Sequence, residues 1–203
     1  MTSIVLAINP VAFHLGPIPV NWYGILIGLG IVLAYFLAQR ESVRHGYDSE
    51  YIADLLIWAV PIAILSARIY YVTMKWDYYS QNPGRIIEIW NGGIAIHGAL
   101  IGSFVVAYLF TKKRKTNFLH LADIAAPSIL IGQIIGRWGN FTNQEAFGVN
   151  TTSIFGMTSD KIVDYINSHQ QEFMEYGIEM NPDLPVHPTF LYESVWCLLG
   201  FVV

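Results

Sequence analysis

Long uncharged runs alternate with short polar ones along this chain. Residues 20–38 carry no charge at all. A second apolar block, 52–74, is broken only by Asp54 near its start and Arg68 near its end. The third, 92–110, holds one residue that ionises near neutral pH, His97. The fourth, 121–139, has Asp123 at one end and Arg137 at the other, and a fifth begins at 188 and is still apolar at 203. A helix rises about 1.5 Å per residue, so roughly 20 apolar residues cross a bilayer core. The first four blocks reach that length and the fifth stops short of it. The pattern predicts an all-α, polytopic integral membrane protein: one membrane domain over 1–203 with five membrane helices, the last incomplete. It also predicts a fragment whose natural chain continues past 203.

Composition agrees with a bilayer environment. The 203 residues are 54% hydrophobic and 13% charged, with mean hydropathy +0.43; an average soluble domain is about 25% charged. Collagenous, disordered and disulfide-scaffold classes are excluded by the high apolar content, the non-periodic Gly and Pro and the single cysteine, Cys197. A net charge of −4 excludes a nucleic-acid footprint built on bulk positive charge, so no nucleic-acid partner is expected. There is no CxxC, HExxH, P-loop or GxSxG, so neither a metal site nor any other cofactor is indicated. Lysine and arginine set the orientation. Arg40, Arg44 and the run Lys112–Lys115 fall on one side, the expected cytoplasm; Lys75, Arg85 and Lys161 fall on the other. The N-terminus is then extracytoplasmic, as is 140–187, where seven acids stand against Lys161 and predict a small head segment. The first nineteen residues lack the basic n-region of a cleavable signal peptide.

Some residues are costly to place. An arginine inside a membrane helix costs about 2.5–3.5 kcal/mol on the most lenient scale. On the expected topology Arg68 lies ~9 Å below the outer edge, His97 ~8 Å, and Arg137 within ~5 Å of it. Tyr23, at the outer start of the first helix, is level with them, and Asn140, Asn143 and Glu145 follow just beyond Arg137. Each has a structural alternative: Tyr23 in an aromatic belt, Arg68 snorkelling to head groups or pairing with Asp54 or Glu88, His97 as a packing residue. Glycine pairs Gly24/Gly28, Gly98/Gly102 and Gly132/Gly136 predict close helix packing. Together the polar positions predict a cationic cavity at lipid head-group depth. An arginine fork suits phosphate bidentately, and an anionic phospholipid is the phosphate available there.

The segment Gly136-Arg137-Trp138-Gly139-Asn140-Phe141-Thr142-Asn143-Gln144-Glu145 resembles the G-R-x-G-N-F-x-N-x-E signature of bacterial prolipoprotein diacylglyceryl transferases. His97-Gly98-Ala99-Leu100-Ile101-Gly102 is similar to their H-G-G-L-I-G motif, with Ala99 in place of a glycine. Asn21-Trp22-Tyr23-Gly24, Ala67-Arg68-Ile69 and His187-Pro188-Thr189-Phe190-Leu191-Tyr192-Glu193 resemble further family motifs in the same order. The family has seven membrane helices and a C-terminal motif with tyrosine and arginine that lies beyond residue 203. The resemblance implies transfer of the diacylglyceryl group from phosphatidylglycerol to the lipobox cysteine of a prolipoprotein signal peptide. A thioether forms and glycerol 1-phosphate leaves, as the first step of lipoprotein maturation in the bacterial cell membrane.

That chemistry needs a base, since a thiol with pKa ~8.5 must lose its proton to attack, and an imidazole such as that of His97 can accept it. It also needs a fixed cation for the departing phosphate. Arg137 is the expected one, with Arg68 in support and Tyr23, Asn140, Asn143 and Glu145 around the phosphatidylglycerol head group. The nucleophile belongs to the substrate, so Cys197 needs no role. Two other classes fit parts of the pattern: an organic-anion or lipid transporter, and a non-enzymatic lipid-binding protein.

Overall fold

The structure, a computed structural model, describes residues 4–89 and 92–203. It is mostly helical. Eight α-helices occur among the described residues: α1 (Trp22–Arg44), α2 (Tyr51–Met74), α3 (Trp76–Tyr79), α4 (Ile96–Arg114), α5 (Phe118–Asn143), α6 (Asp160–Ser168), α7 (Gln170–Glu175) and α8 (Thr189–Val202). Four short strands accompany them: β1 (Ile4–Val5), β2 (Val11–Leu15), β3 (Ile18–Asn21) and β4 (Met157–Thr158). Three helices, α1, α2 and α5, are long and apolar enough to cross a membrane, and α8 is a shorter apolar helix. In α4 the apolar run ends at Thr111, ahead of Lys112, Lys113 and Arg114. Pro61 in α2 and Pro127 in α5 sit inside their helices, as proline is tolerated where neighbouring groups re-satisfy the freed carbonyls.

Two helix ends depart from the hydrophobic pattern. The third block is apolar from residue 92, yet α4 begins only at Ile96. Gly92 (φ +82°) and Gly93 (φ +74°) adopt the left-handed conformation and make a loop instead. His97 therefore lies in the first turn of α4. The fourth block was expected to end at 139 with Asn140 and Asn143 beyond the helix; α5 instead runs through both to Asn143.

Residues fall into two compact units, with the division inside α1 and α5. The unit over Tyr35–Ala126 is built on α2 and α4, which run antiparallel: Gly98 meets Ser66, Ala67 and Tyr70, Gly102 meets Ser66 and Ile62, and at the other end Arg114 pairs with Asp54. Its buried cluster is Ala38, Tyr51, Ile52, Phe110, Leu121 and Ile124. Tyr51 stacks on Tyr47 and its hydroxyl bonds Thr116 Oγ1 at 2.7 Å.

The other unit joins the residues before Tyr35 to Pro127–Val203. Here β2 and β3 form an antiparallel hairpin, and β1 pairs in parallel with β4, two residues each. Val186 bridges Met157, and the buried cluster is Leu6, Met157, Ile162, Ile166, Val186 and Phe190. Ser159 caps α6, accepting from the Ile162 amide at 3.2 Å. These strands and small helices give 140–187 a core shared with Leu6 and Phe190. Of the three glycine pairs, Gly24 and Gly28 meet nothing within 4 Å, correcting the packing expected there; Gly132 instead approaches Gly30, its carbonyl 3.5 Å from a Cβ placed on that glycine.

Candidate active site

The signature forms one connected cluster. In α5, Asn140 and Asn143 are three residues apart and share a helix face. Gln144 (φ +55°) and Ala146 (φ +52°) then take left-handed backbone that non-glycine residues rarely adopt. This strained turn brings Glu145 back over the helix end. Asn140 Nδ2 and Asn143 Nδ2 both donate to Glu145 Oε1, at 3.3 and 3.2 Å, and the Glu145 amide donates to the Asn140 carbonyl at 3.1 Å. Gln144 is buried and donates to the Ile8 carbonyl at 2.8 Å, while Lys161 Nζ donates to the Asn143 carbonyl at 2.7 Å. The N-x-x-N-x-E spacing is thereby explained: two amide donors converge on one carboxylate oxygen.

Arg137 lies one turn earlier and pairs with Glu193 of α8. About a third of its side chain remains exposed (34%). The residues around Glu193 fix α8 against α5. Trp138 Nε1 donates to Ser194 Oγ at 3.2 Å, and Trp138, Phe141 and Phe190 form a cluster with ring centroids 4.7–5.7 Å apart. Pro188 is fully buried just before α8, and His187 Nδ1 bonds the Tyr192 hydroxyl at 2.9 Å. Glu193 has no signal in the hydrophobic pattern; its place at the end of the His187–Glu193 motif is its only mark in the sequence. Tyr23 reaches the same cluster, because a Cβ on Gly139 would lie 2.8 Å from its ring. That close approach is a reason for glycine at 139. A cleft of about 870 Å³ opens beside Asn140 and Glu145, walled by Phe147, Tyr165, Phe173 and Met180.

Arg68 and His97 belong to the other unit. Arg68 is buried, 5% exposed, and its donors are spent on backbone. Nε donates to the Ile86 carbonyl (2.8 Å), Nη1 to those of Gly92 (2.8 Å) and Gly93 (2.7 Å), and Nη2 to that of Arg85 (2.6 Å). The Tyr79 ring covers its guanidinium at 5.1 Å. A Cβ on Gly93 would strike Arg68 Nη1 and Tyr71, so glycine is required there twice over. This arrangement ties the backbone at Arg85, Ile86, Gly92 and Gly93 to α2 and leaves the guanidinium little to offer a phosphate. It also differs from a pairing with Asp54, whose partner is Arg114. His97 is exposed and stacks on Tyr70, centroids 5.9 Å apart. Cys197 is buried and free, its thiol 3.4 Å from Gln133 Oε1. No group of three or more metal-ligating side chains occurs among the described residues.

The chain is similar over its whole length to several curated proteins. It is 61% identical to the phosphatidylglycerol--prolipoprotein diacylglyceryl transferase of Lysinibacillus sphaericus, covering 100% of this chain and 71% of that one. With the protein of the same name from Bacillus velezensis the identity is 50%, over 97% and 69%. With that of Listeria monocytogenes it is 48%, over 100% and 70%. The apolar helices and these relatives make it a multi-pass membrane protein. The family model for prolipoprotein diacylglyceryl transferase matches residues 10–203, and the chain belongs to that family.

Proposed function

We propose that this protein transfers the diacylglyceryl group of phosphatidylglycerol to the cysteine thiol of a prolipoprotein lipobox, the first step of lipoprotein maturation. The thiolate sulfur attacks the glyceryl carbon that bears the phosphate ester. A carbon–sulfur bond forms, the carbon–oxygen bond breaks, and glycerol 1-phosphate leaves with the bonding pair. The thiol proton passes to His97, which is exposed and stacks on Tyr70.

Arg137 carries this proposal. It is a membrane-helix cation paired with Glu193 and still a third exposed, and a guanidinium fork suits a phosphate. Fixed charge aimed at the departing oxygen is worth most in a water-poor site. Asn140, Asn143 and Glu145 are bonded to one another and so present a preformed polar surface for the glycerol hydroxyls, with Tyr23 beside them. Arg68 acts in this proposal through the backbone it holds, its N–H groups bonded to the carbonyls of Arg85, Ile86, Gly92 and Gly93. The substrates reach the site from the extracytoplasmic leaflet, with the N-terminus and 140–187 on that side.

The test uses the full-length protein in phosphatidylglycerol-containing vesicles with a lipobox peptide. The peptide should gain the mass of one diacylglyceryl unit, and Arg137→Gln should slow that gain about 10²–10³-fold. Anion flux without any mass gain would overturn the proposal in favour of a transporter.

A further inference from the structure

At the end of α2 and α4 remote from Arg68 and His97, the two helices enclose a groove of about 480 Å³. Gly98 and Gly102 let the backbones touch at one end. At the other end Val106, Leu109 and Phe110 line the groove together with Trp58 and Ile62. Trp58 (61% exposed) and Leu109 (57%) leave the walls uncovered. The mouth is cationic. Lys113 and Arg114 line it, Lys112 and Lys115 flank them, and Asp54 is the only acid in the lining. Arg114 is engaged by Asp54 and lies over the Phe110 ring at 5.6 Å, and Lys112 lies over Tyr108 at 5.0 Å. Lys113 has no hydrogen-bond or ion-pair partner among the described residues.

We infer that this groove binds an anionic phospholipid, an acyl chain between Trp58 and Leu109 and the phosphate on Lys113. The charge at the mouth selects the occupant. Four cations against one carboxylate favour an anion, and apolar walls below them favour a molecule that is amphipathic. An apolar helix would fill the walls but leave the cations unanswered. From Asp54 to Arg68 is fourteen residues, about 21 Å of helix, so the groove is separate from the Arg68–His97 end of this helix pair. The inference stands independently of the transferase proposal.

The full-length protein in phosphatidylcholine nanodiscs would be exposed to phosphatidylglycerol or phosphatidylcholine carrying a photoreactive acyl chain, and the labelled peptides mapped. The anionic probe should label segments 54–62 and 106–110 in preference to the zwitterionic one. Lys113→Gln should lower that labelling about fivefold, the effect of one cation at an anionic lipid. Leu109→Trp, which fills the groove and keeps every charge, should remove it. Equal labelling by both probes, no change in Lys113→Gln, or no labelling by either probe would each overturn the inference. Diacylglyceryl transfer measured in the same nanodiscs reports on the transferase proposal separately.

Discussion

Arg68 and Arg137 look alike in the sequence, each an arginine near the end of an apolar helix, yet their guanidinium groups are spent differently. Arg68 makes four hydrogen bonds to carbonyls. At about 1.5–3 kcal/mol for each charge-assisted bond, these exceed the roughly 2.5–3.5 kcal/mol cost of placing it in the membrane. Its carbonyl partners, 17 to 25 residues further along the chain, are brought near only by the fold, so residue type and depth could not separate a clamp from a phosphate ligand. Two substitutions test the distinction. Arg68→Gln should destabilise the protein by several kcal/mol, seen as a lower Tm and faster proteolysis within 85–93. Arg137→Gln should leave Tm close to wild type and reduce kcat by about 10²–10³, the range for losing one fixed donor at a developing charge. Equal losses of Tm in both would refute the assignment. His97→Asn keeps the size and polarity of the site but not the base. It should abolish transfer while phosphatidylglycerol binding, followed by retention of labelled lipid, persists.

At the level of whole helices, hydrophobic runs marked where membrane segments lie but not where they stop. Hydropathy places Gly92 and Gly93 inside a helix; their backbone places them outside. Conversely Asn140 and Asn143 read as polar residues past a helix end, yet α5 continues because their amides bond Glu145 and the Thr142 hydroxyl returns to the Gly139 carbonyl at 2.8 Å. The family motifs made the cluster's members legible; the α8 contact through Glu193 needed the structure. Packing between α2 and α4 has a sharp requirement at Gly102, where any Cβ strikes Ser66. Gly102→Leu should therefore cost about 1–3 kcal/mol or more by overpacking, read as a fall in Tm. Gly102→Ala with Ser66→Gly should recover part of the loss. A stable Gly102→Leu protein would show that the two helices do not meet there.

Charge distribution governs how the whole chain is inserted. Six cations, Arg40, Arg44 and Lys112–Lys115, are expected on one side against Lys75, Arg85 and Lys161 on the other, and an excess of this kind favours retention in the cytoplasm during insertion. The head reinforces this: its buried cluster around Ile162, Ile166 and Val186 is made from residues of 140–187 together with Leu6 and Phe190, so the N-terminal strand and the head must emerge on the same face to fold at all. Single-cysteine labelling in a Cys197→Ser background reads the outcome. Gln81→Cys and Glu175→Cys should react with a membrane-impermeant maleimide in intact cells, and Glu50→Cys only after permeabilisation. Replacing Lys112, Lys113 and Lys115 together by Gln should weaken this bias and let a fraction of Glu50→Cys react from outside. If Glu175→Cys and Glu50→Cys label with equal ease in intact cells, the orientation is wrong, and with it the access of an extracytoplasmic prolipoprotein to the Arg137 cluster.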